Sequence, residues 1–128
     1  MPKSKQDPLS EFGRFLMTKL RDRGIGDLDY LLKAKWKAPS LKQIQRELQS
    51  LSAPQRNLVR RAFIKSFDAA IHDFLFALQE QTDLDGRIAV TVAGQNVATL
   101  SDGLQGELFT EDGWRARYSA YGEPRDEA

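Results

Sequence analysis

Apolar residues recur at three- and four-residue intervals through the first two thirds of the chain. Beyond residue 86 they recur every second residue. The change of period separates a helical part from a part that reads as strand. Asp7 followed by Pro8 has the form of a helix cap with proline at the first helical position. The predicted helix carries Leu9, Phe12, Leu16 and Leu20, is widened by Phe15, Met17 and Ile25, and is expected to stop at Gly24. A second helix is expected from Asp27 through Leu28, Leu31, Leu32 and Trp36 to the break at Pro39. A third should start at Ser40, where Ser40 and Gln43 have the spacing of a capping box, with Leu41, Ile44, Leu48 and Leu51 as its stripe.

The longest predicted element follows. Ser52 and Gln55, with Pro54 between them, form another capping-box pattern, and nothing from Gln55 to Gln81 breaks a helix. Val59, Phe63, Ile64, Phe67, Ala70, Ile71, Phe74, Leu75, Ala77 and Leu78 fall within an arc of about 160°. A helix of roughly 40 Å is comparable to the diameter of a domain this size, so this spine should cross the core from side to side or break near its middle. Past Gly86, Ile88, Val90 and Val92 alternate with polar or small residues, and a turn is expected at Gly94, Gln95 and Asn96. Val97 to Leu100 then reads as the returning strand, Glu107 to Phe109 as a third and Trp114 to Tyr121 as a fourth. The expected fold is α+β, with N-terminal helices (1–53) and one long central helix (54–81) packed on a three- to four-stranded antiparallel C-terminal sheet. The sheet is a meander over 87–121, and 122–128 form a frayed tail.

The 128 residues suit one domain, and 41% hydrophobic with 29% charged residues suits a soluble globular chain. With no cysteine, disulfides and thiolate chemistry are excluded, and one histidine leaves little for zinc or a catalytic triad. The N-terminal lysines are followed by no apolar core of a signal peptide and no stretch is long enough to span a membrane, so a cytoplasmic protein is expected, with no membrane contact. The net charge of +1 conceals a division. Residues 1–65 carry fifteen Lys and Arg against six Asp and Glu, a net +9; residues 66–128 carry four against twelve, a net −8. Either the halves neutralise each other across their contact, or the surface is dipolar and steers a charged partner.

No catalytic set emerges from the residues. His72 reads as a solvent-facing histidine paired with Asp68 one turn earlier. Asp83 to Gly86 resembles half a calcium loop, but Ile88, Thr91 and Gly94 stand where ligands are required, so metal binding is not expected. Asp102, Glu107, Glu111 and Asp112 read as a solvated acidic edge, and Gly103 and Gly106 match no phosphate- or dinucleotide-binding loop, so no cofactor is expected. Arg56, Arg60, Arg61 and Lys65 open the spine after a helix and a turn, the order of a helix-turn-helix, with Lys42 and Arg46 in reach of phosphates. Phe76 lies opposite the apolar arc with Leu58. It is either covered by the first three helices or left at an interface. Trp36 stands among Lys33, Lys35 and Lys37, a composition favoured at protein interfaces.

The run Ile71-His72-Asp73-Phe74-Leu75, a hairpin, Gly106-Glu107-Leu108-Phe109 and Trp114 to Tyr118 together resemble small uncharacterised bacterial proteins that combine a helix, a short sheet and a tryptophan-containing last strand. The resemblance spans residues 54–123. It implies a bacterial or phage origin and an α+β fold, and brings no activity. The expected function is a non-enzymatic cytosolic protein-protein interaction module, such as a small inhibitor, immunity or phage/host accessory protein. The alternative is a DNA- or RNA-binding protein using the basic segment at residues 40–65.

Overall fold

The computed structural model describes residues 7–84 and 86–124. Helices dominate it, and the expected meander is replaced by a hairpin with strands of two residues each.

Helix α1 (Pro8–Leu16) begins as the sequence predicts. Pro8 occupies the first turn, and the Asp7 carboxylate accepts the Leu9 N–H at 3.3 Å. Gly24 does not end it. The chain passes through a π-helical turn (Met17–Arg21) straight into α2 (Asp22–Leu32). A π turn holds one residue more than an α turn, so it slips the helical register by one. Leu20, which the 3.6-residue period directs inward, is 41% exposed, and Arg21 takes its place at 0%. Gly24 is present for a different reason than chain termination: a Cβ there would lie 2.5 Å from the Phe67 ring. Gly13 plays the same part in α1, where a Cβ would lie 2.4 Å from the Trp114 indole.

Helix α2 ends at Leu32 rather than at Pro39, with Ala34 in the left-handed region at φ 55°. Residues 35–38 are irregular, Pro39–Leu41 form a 3-10 turn, and α3 spans Lys42–Gln49. Ser40 caps nothing. Gln43 donates instead to Glu47 at 3.3 Å. The second capping box does form: Ser52 N–H donates to Gln55 Oε1 at 2.8 Å and Gln55 N–H to Ser52 Oγ at 3.2 Å. It opens α4 (Ala53–Leu84), 32 residues and roughly 48 Å long at 1.5 Å per residue.

Helix α4 buries Ile64, Asp68, Ile71, Leu75, Leu78 and Gln79. This stripe is rotated from the expected arc, leaving Phe74 56% exposed and Ala70 and Ala77 in solvent. Phe76 is 47% exposed and Leu58 is exposed with it, so the N-terminal helices do not cover them.

The C-terminal third is compact but barely a sheet. β1 (Thr91–Val92) pairs antiparallel with β2 (Gln95–Asn96) across Ala93 and Gly94, both with positive φ, so the turn starts one residue earlier than expected and Gln95 and Asn96 belong to the returning strand. Val97–Leu100, expected as a strand, is a 3-10 helix capped by Asn96, whose side chain accepts the Ala98 N–H at 3.0 Å. Leu104–Glu107 is also 3-10, replacing the start of the expected third strand. The expected fourth strand is helix α5 (Trp114–Tyr118). Gln79 of α4 pairs with two backbone groups of this segment. Its Nε2 donates to Ala98 O at 3.1 Å and its Oε1 accepts Leu104 N–H at 2.8 Å. A buried side-chain amide thus satisfies backbone groups that a ladder would otherwise pair.

The core joins Phe12, Leu16 and Met17 to Ile71, Leu75 and Leu78, closed by Val97, Leu104, Leu108 and Trp114. Trp114 is fully buried and meets Phe12 edge-on, centroids 5.8 Å apart. Burying an aromatic of this size contributes about 1.5–3 kcal/mol and fixes where α5 sits. Gly13→Ala should therefore destabilise by about 1–3 kcal/mol through overpacking against an indole with nowhere to move. Gly26→Ala should not, since a Cβ there meets only Tyr121 Oη at 3.6 Å; its helix propensity favours the folded state by up to about 1 kcal/mol. Urea denaturation midpoints of the two variants check the contrast, which fails if both shift the same way.

Candidate functional site

The π turn delivers Arg21 to the centre of the molecule, where all five guanidinium donors are used. Nε–H and Nη2–H grip the Asp68 carboxylate at 2.6 and 3.0 Å, Nη1 donates to Ser119 Oγ at 2.9 Å and to Tyr121 O, and Nη2 donates to Gly122 O at 3.1 Å. Asp22, the next residue, holds the same segment: its Oδ1 accepts from Ser119 Oγ at 2.5 Å, and its oxygens accept the Ala120 N–H at 3.1 and 3.0 Å. Arg115 reaches Asp68 from the other side at 3.5 Å. Gly122, expected to begin a frayed tail, is thus held at its carbonyl; residues 125–128 of that expected tail lie outside the described residues. Every donor of the Arg21 guanidinium is occupied, and the group ties the helical arm, α4 and residues 119–122 together. It is a structural clasp.

Asp68 is therefore not the partner of His72, which stands 3.3 Å from Asp73 at the surface. The four basic residues at the start of α4 are placed as follows. Arg56 donates to Leu51 O at 2.5 Å and Gln49 O at 3.5 Å, closing the turn after α3. Arg60 grips Asp29 of α2 with two bonds of 2.7 and 3.2 Å and lies 5.8 Å from the Tyr121 ring centroid. Hydrogen bonding to Asp29 raises the Arg60 pKa above its ordinary value, outweighing partial burial, which lowers it; the charges of Asp29 and Tyr121 add to the rise. Arg61 is half-buried, and Lys65 is exposed with its Nζ 4.0 Å from Glu123. Arg56 and Lys65 lie about 180° apart around the helix, so the four do not form one face.

Positive charge is concentrated elsewhere. Lys33, Lys35 and Lys37 on the loop and Lys42 and Arg46 on α3 are all exposed, and none has a carboxylate within 4.0 Å among the described residues. Trp36 is anchored at the middle of this group. Gln45, buried in α3, accepts the Trp36 N–H at 2.9 Å and donates to Trp36 O at 3.0 Å, while the indole Nε1–H reaches Asp27 O at 3.3 Å. The indole leans on Tyr30, centroids 5.1 Å apart, and Tyr30 is 48% exposed. Trp36 lines an open cleft of about 420 Å³ together with Tyr30, Thr18, Gly26, Arg23 and the carboxylates Asp22 and Asp27. It also lines a second, of about 490 Å³, with Lys42, Gln45, Arg46 and Gln49. Sequence reasoning found Trp36 and its lysines but missed Tyr30 and Gln45; a tyrosine six residues before the tryptophan was the available signal.

The acidic residues do not converge. Glu107 accepts from Ser101 Oγ at 2.6 Å, and Asp102, Glu111 and Asp112 are exposed. Among the described residues no group of three or more His, Asp or Glu is placed to hold a metal ion, and no helix is long and apolar enough to cross a membrane. Comparison of the chain with protein-family models, curated proteins and solved structures gives no match.

The Arg60–Asp29 pair is partly screened by solvent and bidentate, so a double-mutant cycle with Arg60→Met and Asp29→Ala should give a coupling of about 1 kcal/mol, the upper end for such pairs. The same cycle on Lys65 and Glu123 should give no measurable coupling. Equal values for the two pairs would refute this division of labour.

Proposed function

We propose that the protein is a non-enzymatic cytosolic interaction module that binds another protein, as small inhibitors, immunity proteins and phage/host accessory factors do. The observation that carries this reading is the outer face of α4. Ala62, Ser66, Ala69, Ala70 and Ala77 form a floor of small exposed side chains along it. Phe74 and Phe76, exposed and about 160° apart around the axis, stand on either side of that floor, and Leu58 continues the Phe76 side toward the N-terminus. A floor of small residues between aromatic ridges lets a partner helix approach closely, and exposed aromatics of this kind supply anchors at interfaces. Asp73 and Glu80 lie along the middle of the same face, between the two aromatic sides, and supply polar groups for the partner to pair.

The test compares wild-type protein with Phe74→Glu/Phe76→Glu as baits in extracts of the source cells. Both side chains are exposed, so the variant should fold normally by circular dichroism. The wild type should be monomeric by light scattering and should retain one protein in stoichiometric amount, which the variant loses by at least about tenfold, the consequence of removing more than about 1.4 kcal/mol. Equal retention by both baits, or a wild-type dimer that the variant splits, contradicts the proposal.

A further inference from the structure

The basic loop around Trp36 is tied to α2 and α3 and is built in a way that the protein-binding reading does not use. We propose that it is a binding site for single-stranded nucleic acid, in which Trp36 and Tyr30 stack on bases while Lys33, Lys35, Lys37 and the α3 cations meet phosphates.

Three observations carry the assignment. The first is charge: the lysines and Arg46 project into solvent without carboxylate partners among the described residues, whereas Arg21 and Arg60 are each gripped by an aspartate. Cations left uncompensated at this density favour a polyanion, whose condensed counterions they displace on binding. The second is the aromatic pair. Tyr30 and Trp36 lean together, and Trp36 lines both the cleft that holds Asp22 and Asp27 and the cleft that holds Lys42 and Arg46, so a chain stacked on the rings has its phosphates on the cationic α3 side. Bases offer a π face whatever their sequence, and a chain of acidic side chains has none. Lys35, with its Nζ 5.9 Å from the Tyr30 centroid, places a cation beside the stacking surface.

The third is rigidity. A loop of lysines with no secondary structure is expected to be mobile, but this one is held at both main-chain groups of Trp36 by the buried Gln45 amide, and Gln49 donates to Leu32 O at 2.5 Å where the loop begins. Ala34 adopts a left-handed conformation that a non-glycine residue takes at some cost. Holding a strained, lysine-rich loop in one shape from the interior preorganises the aromatic and its flanking charges before any ligand arrives. Clefts open to solvent suit an extended chain, and the stacking rings favour separated bases over the closed stack of a duplex.

The chain has two tryptophans, and Trp114 is fully buried, so quenching of fluorescence on titration reports Trp36. The full chain is titrated with a 15-nucleotide oligothymidylate, a 15-base-pair duplex and polyglutamate, with a labelled oligothymidylate followed in parallel by anisotropy. The single strand should quench Trp36, with affinity falling as salt rises at a logarithmic slope of about −2 to −3.5, as for three to five phosphates. The duplex should bind several-fold more weakly and polyglutamate should not quench. By anisotropy, Lys33→Glu/Lys35→Glu/Lys37→Glu should weaken binding at least about tenfold and Trp36→Ala about tenfold, while Lys65→Glu leaves it unchanged. The proposal is overturned by a slope near zero, by polyglutamate or duplex binding as tightly as the single strand, by the triple variant retaining wild-type affinity, or by Lys65→Glu abolishing it.

Discussion

Arg21 is the residue on which the arrangement depends. It is fully buried, yet it lies on the N-terminal helical arm, it is gripped by a carboxylate in the middle of α4, and it holds the backbone of the last described turn. Three segments remote in sequence meet on one planar group. A buried charge is tolerated only when it is paired and its remaining donors are satisfied, and here all five are. The geometry requires all three parts. Without the π turn, Leu20 would face inward; without Asp68 the guanidinium would be an uncompensated charge; without residues 119–122 three of its donors would be orphaned.

That dependence explains where the sequence was and was not legible. The caps at Asp7 with Pro8 and at Ser52 with Gln55 were readable because their chemistry is local, and both form as the pattern indicates. The long helix was readable because nothing interrupts it for over 25 residues. The slip at Met17–Arg21 was not, because a π turn leaves no mark in a 3.6-residue pattern; it shows only in what Leu20 and Arg21 do afterwards. Gly24 misled in the opposite direction, since a glycine that ends a helix and one that admits an aromatic ring look alike in sequence. In the C-terminal third, short apolar runs alternating with small residues suit a strand or a tight helical turn equally. The contacts that accompany the helical turns are tertiary: Gln79, a polar residue on a distant helix, pairs with Ala98 and Leu104, and Trp114 fits tightly on Gly13.

The candidate sites show the same boundary between local and tertiary information. Charge is visible in a sequence but its partner is not. Arg56, Arg60, Arg61 and Lys65 looked like a set, and folding engages Arg60 with Asp29 and Arg56 with the carbonyls that close α3, winding them around the helix. Trp36 among lysines was legible as a composition, and the structure adds the Gln45 clamp and the Tyr30 ring that give it a shape. The two halves of opposite net charge do meet, through Arg21 with Asp68 and Lys65 with Glu123, while the cations of the loop and α3 stay outside that contact. The interlock thus leaves two surfaces with little structural duty of their own: the outer face of α4 and the loop around Trp36.

A double-mutant cycle on the clasp tests this account most directly. Stabilities of Arg21→Met, Asp68→Leu and the double variant are measured by urea denaturation. Asp68→Leu strands the Arg21 guanidinium and Arg21→Met leaves Asp68 only its 3.5 Å contact with Arg115, so each should cost about 3–5 kcal/mol, the second at the lower end, whereas the double change removes both charges together and should cost less than the sum by at least about 2 kcal/mol. Single variants within about 1 kcal/mol of wild type, or costs that simply add, would show that Arg21 fills space at the centre of the molecule without holding it together.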